Sequence, residues 1–200
     1  MTPRSRGGAG RVIAGTARGI ALEAPGEGTR PLGDRVKQAL FAILEPMLRD
    51  RRFLDLYAGS GAGGIEALSR GAAEAVFVDR DAGAVRLIEG NLRATHLERA
   101  GHVVRAEVLA WLDRHGAIAG PFAAILVDPP YDAPDELAAA LGRIARLGPG
   151  SVLEADGVVV AKHFWKTPPA ARIGLLRSGR ERRFGETALT FLRWADEEDG

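Results

Sequence analysis

The chain has no cysteine among its 200 residues, which excludes disulfides, thiolate metal centres and a cysteine nucleophile. Its four histidines, at 96, 102, 115 and 163, fall at no metal-ligand spacing, so no metal is expected. No apolar run is long enough to span a bilayer, and Met1 to Gly10 is basic and glycine-rich without the apolar segment of a secretory signal. A cytoplasmic protein, with no membrane partner, is the expectation. An excess of one charge is also missing: the net charge is +1, so the chain as a whole is no obvious polyanion binder. The 46% hydrophobic content that is present suffices for one well-buried core and does not call for two.

The most informative segment is Asp128-Pro129-Pro130-Tyr131, which ends the apolar run Ala123-Ala124-Ile125-Leu126-Val127. A carboxylate and the Pro129 carbonyl can each accept a hydrogen bond from an exocyclic amine, and Tyr131 offers a ring on which a base can stack. The prolines fix φ and lack N–H groups, so the turn is rigid and its carbonyls are free of local pairing. A strand followed by a proline-rich turn is the plain alternative for these residues.

Upstream, Phe53-Leu54-Asp55-Leu56-Tyr57 reads as a buried strand, followed by Ala58-Gly59-Ser60-Gly61-Ala62-Gly63-Gly64 and an apolar-periodic helix. Gly59, Gly61 and Gly64 fit a dinucleotide-binding pattern, and Asp79 ends the next strand where a ribose-binding acid is expected. Asp55 argues against a pyrophosphate, because a carboxylate at the mouth of the turn would repel it. It suits a ligand that carries an ammonium group. S-adenosylmethionine is such a ligand: Asp55 and the turn residues Tyr57, Ala58, Gly59 and Gly61 would take its amino-acid end, Asp79 its ribose and Glu107 its adenine amine. Each acid also has a structural explanation. Asp55 could cap the turn, Asp79 could cap the helix beginning near Asp81, and Glu107 could be a first-turn residue favoured by the helix dipole.

With these residues in view, the chain resembles a class I S-adenosylmethionine methyltransferase, and more closely the RsmD family of bacterial 16S ribosomal RNA guanine-N2 methyltransferases. The closer likeness lies in Arg11–Gly19, in Thr29–Phe41, which contains Arg30-Pro31-Leu32 and Arg35-Val36-Lys37, and in Phe184–Leu189. The resemblance implies methylation of the N2 amine of one guanine in small-subunit rRNA, within a partly assembled ribosomal particle. It implies Asp128, Pro129, Pro130 and Tyr131 as the catalytic motif. After the strand Gly157–Ala161 the chain departs from the family's pattern, with Lys162-His163-Phe164 where an acidic residue is expected close by. The role of Lys162 stays open, and for His163 a solvated or backbone-bonded ring is preferred to a catalytic base.

Charge is unevenly spread. Residues 1–52 hold ten Lys or Arg against five Asp or Glu, and Arg177, Arg180, Arg182 and Arg183 cluster late. Local basic surface can supply phosphate contacts that a near-neutral total conceals. Arg11, Arg18, Arg30 and Arg35 flank a glycine-punctuated hairpin and a helix start, and are the expected RNA contacts.

Strands are predicted near 53–57, 75–79, 102–105, 123–127, 157–161, 171–177 and 187–194, with helices from about 34 and near 62–70, 81–95, 107–114 and 134–146. Val36, Leu40, Ile43 and Met47 mark the expected buried face of the first helix. The alternation predicts an α/β fold: a doubly wound, mostly parallel seven-stranded sheet, Rossmann-like, with one antiparallel strand. An N-terminal hairpin extension over 1–33, a catalytic domain over 34–195 and an acidic tail over 196–200 complete the division, and a monomer is expected. Rival functions are an adenine-N6 methyltransferase, a non-catalytic RNA-binding module with an idle cofactor site, and an oxidoreductase that Asp55 disfavours. Replacing Asp128 by Ala is expected to leave folding and cofactor binding nearly intact while severely reducing turnover.

Overall fold

A computed structural model describes residues 10–24, 32–130 and 133–195. Helix α1 (Asp34–Leu48) leads into strictly alternating units: β1 (Arg52–Leu56), α2 (Ala62–Ser69), β2 (Glu74–Asp79), α3 (Ala82–Ala94), β3 (Gly101–Arg105), α4 (Val108–Ala119), β4 (Phe122–Val127), α5 (Pro134–Leu147) and β5 (Leu153–Phe164). Three strands then follow without a helix, β6 (Arg172–Ile173), β7 (Leu176–Phe184) and β8 (Thr187–Trp194). The sheet order is β3-β2-β1-β4-β5-β8-β7-β6. Strands β1 to β5 pair in parallel, whereas β8 is antiparallel to β5, β7 to β8 and β6 to β7.

The doubly wound, Rossmann-like α/β fold expected from the alternation is present, with corrections to its detail. Among the described residues the sheet has eight strands, not seven, and two of them, β6 and β8, run against the others where one was expected: the predicted strand 171–177 is broken at Gly174, whose φ of 56° is a left-handed turn between β6 and β7. The expected hairpin at the N-terminus is present but short: around the antiparallel bridge Arg11 to Ala21, the Val12 N–H donates to the Ile20 carbonyl, the Gly19 N–H to the Val12 carbonyl and the Leu22 N–H to the Gly10 carbonyl, at 2.8–3.0 Å. It stops there for a visible reason: the N–H groups of Ile13 and Ala14 donate to the Glu66 carboxylate at 2.8 and 3.0 Å, and those of Thr16 and Ala17 go to Ser69. The tip of the hairpin is therefore bonded to α2.

Central strands reading as continuous apolar runs must be covered on both faces. One face is covered by α1, α2, α3 and the N-terminal segment, whose Val12, Ala17 and Leu22 share a core with Phe53, Phe77 and Val160. The other is covered by α4 and α5, through Trp111, Leu112, Leu141 and Ile144 against Leu54, Ile125 and Val159. The buried face of α1 is turned by one residue from the expected one: Leu40 is buried, but its fully buried neighbours are Lys37, Phe41, Leu44 and Leu48, while Val36, Ile43 and Met47 are only partly covered. Phe41 sets this rotation by packing on Phe53, with ring centroids 6.1 Å apart. Lys37 tolerates burial because its Nζ donates to the Arg11 carbonyl and lies 3.5 Å from Asp34.

Candidate active site

In an open parallel sheet, strand order reverses direction at a switch point, and ligands bind beyond the carboxyl ends of the strands there. Here the reversal lies between β1 and β4. Asp55 lies on β1, Asp79 ends β2 and Asp128 follows β4, so the three acids converge from adjacent strands. Glu107 follows β3, one strand further out.

The turn after β1 is built to bring backbone close. Tyr57 at φ 60°, Gly59 at 56° and Gly61 at 75° carry the chain through left-handed conformations into α2. Beyond them the helix packs tightly on the sheet: a Cβ on Gly64 would lie 2.3 Å from the Phe77 ring, and one on Gly63 3.0 Å from an Asp55 oxygen. The Gly64 N–H donates to Asp55 Oδ2 at 2.8 Å, and the Gly59 N–H to Asp79 Oδ2 at 2.9 Å. Asp79 Oδ1 accepts from the Asp81 N–H, also at 2.9 Å. Two acids thus hold the turn in shape.

Asp55 does not stand at an open mouth. It is buried beneath the turn, only 2% exposed, and burial, with smaller additions from the charges of Asp128 and Asp79, pushes its carboxyl up to about 8. The Gly64 hydrogen bond and the Lys162 charge oppose that rise. Asp79 is half-buried, and α3 is capped not by it but by Asp81, which accepts from the Ala84 N–H at 2.8 Å. Glu107 is the N-cap residue of α4, makes no capping bond, and lies on the surface 3.4 Å from Arg80. Tyr57 is half-buried, and desolvation followed by the charge of Glu136 drives its hydroxyl upward, so it stays a neutral phenol.

Asp128 has a partner that the sequence left open. Lys162 Nζ, on β5, donates to both its carboxylate oxygens, at 2.6 and 2.8 Å. The Lys162 side chain is 7% exposed and that of Asp128 19%. Burial pushes the Asp128 carboxyl upward and the lysine charge pulls it back. His163 takes the backbone-bonded place: Nδ1 donates to the Phe164 carbonyl, which can only accept, and Nε2 is hydrogen-bonded with the Thr190 hydroxyl, both at 2.8 Å.

Pro129 is buried and Pro130 exposed. The Pro130 carbonyl accepts from the Ala133 N–H at 3.0 Å, while the Pro129 carbonyl accepts no bond among the described residues. Beside this turn, on the α5 side, lies a cavity of about 270 Å³ walled by Pro129, Pro130, Leu137, Phe164 and Pro168, with Lys162 as its charged lining group. Tyr131 lies outside the described residues, as does Arg30. Of the other arginines expected to face RNA, Arg11 is exposed and 3.4 Å from Asp34, and Arg18 and Arg35 are exposed. They lie on the N-terminal segment and in the first turn of α1. Among the described residues no cluster of metal-binding side chains is found, and no helix is long and apolar enough to cross a membrane.

Comparison with known proteins agrees with this geometry. The family model described as conserved hypothetical protein 95 matches residues 10–193. The chain is 36% identical over 184 residues to the protein named "Putative rRNA methyltransferase YlbH" of Bacillus subtilis, covering 92% of this chain and 98% of that one. It is 39% identical over 122 residues to ribosomal RNA small subunit methyltransferase D of Escherichia coli, covering 60% of each. Among solved structures it is similar to a hypothetical protein of Thermus thermophilus, with a TM-score of 0.77, 38% identity and coverage of 92% and 98%. The family match spans nearly the whole described fold, and the chain belongs to the conserved hypothetical protein 95 family, the RsmD-like class I methyltransferases.

Proposed function

We propose that the protein transfers a methyl group from S-adenosylmethionine to the exocyclic N2 amine of a guanine in 16S ribosomal RNA, in a partly assembled small subunit. The observation that carries the reading is the place of Asp128: at the carboxyl end of β4, beside the switch point, and next to a Pro129 carbonyl that accepts no bond among the described residues, in a chain of this family. The relative with the name ribosomal RNA small subunit methyltransferase D supports the rRNA substrate.

The residues present fit the cofactor. Asp55, buried beneath the turn, would act through the Gly64 bond that shapes it rather than as a free carboxylate on the ammonium group, the backbone of Tyr57, Ala58, Gly59 and Gly61 would line the cofactor's path, and half-buried Asp79 would take the ribose hydroxyls. Glu107, at the outer edge, would meet the adenine amine. S-adenosylmethionine supplies the methyl on a sulfonium leaving group. Guanine N2 is a weak nucleophile because its lone pair is delocalised into the ring. Asp128 and the Pro129 carbonyl would accept its two hydrogens, which favours pyramidal nitrogen and disperses the positive charge that develops there. The lysine does not block this: one bond to each carboxylate oxygen leaves a second acceptor site on each. With an ammonium beside it, Asp128 acts as an electrostatic partner, and takes the proton as or after the methyl moves. The cavity beside Pro129 and Pro130 would receive the base, drawn out of its stack and held against Tyr131.

Incubating the protein with methyl-labelled S-adenosylmethionine and undermethylated small subunits, then digesting the RNA and identifying the labelled nucleoside, tests the reading. Label in N2-methylguanosine is expected. Label in N6-methyladenosine would keep the site and reject the guanine, and no label in a protein that binds the cofactor would reject the rRNA substrate.

A further inference from the structure

Sheet register carries the site beyond Asp128. Lys162 pairs with Leu189 of β8, and Leu189 pairs with Arg182 of β7. Paired residues share a face, so Asp128, Lys162, Leu189 and Arg182 form one row across four strands. The next rows run from His163 through Ala188 to Arg183, and from Phe164 through Thr187 to Phe184. With adjacent strands about 4.8 Å apart, Arg182 starts roughly 10 Å from Lys162, at the same end of the sheet as the three acids.

This end of β7 is strongly basic. From Trp165 to Phe184 the sequence holds six Lys or Arg and one acid, Glu181. Lys166, Arg180, Arg182 and Arg183 are exposed, and among the described residues no carboxylate forms an ion pair with any of them. The Arg183 guanidinium lies over the Trp165 ring at 3.5 Å and the Lys166 ammonium 5.4 Å from its centroid. Trp165 is held in place by its N–H bond to the Glu186 carbonyl at 3.0 Å. Phe164 and Thr167, on either side of this group, line the cavity next to Pro129 and Pro130. Charges on an open edge strand also deter edge-to-edge pairing, and β6 is too short to cover this part of β7. That purpose needs neither an indole beneath the cations nor their concentration at the site end of the strand.

We infer that Lys166 and Arg183, gathered on Trp165, together with Arg182 in the row of Lys162, form the surface that grips the phosphates of single-stranded RNA flanking the target base. This deepens the rRNA reading above and rests on it for the identity of the polymer. Cations placed beside an aromatic ring suit unpaired nucleotides, whose phosphates take the charge while a base can stack. The surface is continuous with the cavity, so a strand laid along β7 delivers its base beside Asp128. The expected arginines of the N-terminal segment are then a second contact rather than the principal one.

The test compares two triple variants that lose the same charge. Lys166→Gln/Arg182→Gln/Arg183→Gln removes the proposed grip, and Arg93→Gln/Arg99→Gln/Arg114→Gln removes three exposed cations elsewhere. Dissociation constants for unmodified 16S rRNA transcript and for undermethylated small subunits are measured across a KCl series, with thermal melting and S-adenosylmethionine binding as checks on folding. The first variant should bind at least tenfold more weakly at 0.1 M KCl. Its log–log salt slope should shrink by about 2, at roughly 0.7 per single-strand phosphate contact. The second should stay within twofold of wild type. Equal weakening in both variants, an unchanged slope in the first, or equal affinity of the wild type for duplex DNA would overturn the inference. Wild-type binding with this dependence but without methyl transfer to guanine would instead leave the surface standing and reject the guanine reading.

Discussion

Replacing Lys162 by Met should cost more stability than any surface lysine and should do so in a pH-dependent way. The substitution keeps much of the side-chain volume and removes the ammonium to which both Asp128 oxygens are bonded. Removing one member of a buried ion pair costs about 3–5 kcal/mol, and the 19% exposure of Asp128 places this pair near the lower end. About 3 kcal/mol lowers the melting temperature by roughly 6–12 °C in a chain of this size. Without the lysine, nothing opposes the upward push of burial on the carboxyl. The folded state then holds a proton that the unfolded state has released, so stability falls as pH rises from the ordinary carboxylate range through the raised folded value. Asp128→Asn inverts the trend: it strands the Lys162 ammonium, and its loss is greatest at low pH, where the lysine cannot shed its proton. The double variant removes both charges and should recover most of the stability. Melting of the four proteins between pH 5 and pH 8.5, with methyl transfer to undermethylated small subunits at each pH, tests the cycle. Single variants that melt with the wild type, or that share one pH trend, would refute the pairing. The expected sparing of the fold by Asp128→Ala is revised for the same reason, since alanine too leaves a buried ammonium without its carboxylate.

Other substitutions separate the roles of the remaining acids. Asp55 has its carboxyl raised to about 8, so the folded chain keeps a proton between about pH 4 and pH 8 and loses on the order of 1.4 kcal/mol per unit as pH rises through that window. Asp55→Asn should therefore gain on the wild type between pH 5 and pH 7, and parallel denaturation curves would show that the carboxyl is already ionised. Asp79→Asn keeps one acceptor for the Gly59 and Asp81 N–H groups, and should raise the dissociation constant for S-adenosylmethionine at least tenfold by calorimetry; an unchanged constant removes Asp79 from the ribose. Glu66→Ala strips the buried carboxylate that receives the Ile13 and Ala14 N–H groups and pairs with Arg70 at 2.7 Å, with an expected loss of about 3 kcal/mol. Trypsin should then cut at Arg18 well before the rest of the chain, and equal cleavage rates would mean that other bonds hold the segment.

The parallel core was legible because its central strands are short, nearly continuous apolar runs, two of them, β2 and β4, closing on an acid, and runs of that length alternating with helical patterns read as strands covered on both faces. The same regularity placed Asp79 and Asp128 at the strand ends without reference to any partner. What escaped were contacts between segments far apart in the chain. The N-terminal residues read as a hairpin from their own pattern, and bonds between residues 10–12 and 19–22 are present, but the acceptors for the N–H groups at its tip are Glu66 and Ser69, some fifty positions later. The apolar period of α1 gave Leu40 but not the rotation imposed by Phe53, nor the burial of Lys37, which depends on a carbonyl at Arg11. The Asp128 to Lys162 pair did leave a signal. The runs Ala123–Val127 and Gly157–Ala161 have equal length, each is followed directly by a charged residue, and the charges are opposite. Two neighbouring parallel strands of that pattern put the charges side by side, and a lysine that continues a buried strand must find an anion or give up its proton. The pairing was therefore implicit once β4 and β5 were known to be neighbours, as they are in the doubly wound order, and Lys162 enters the site through sheet register rather than through any motif of its own.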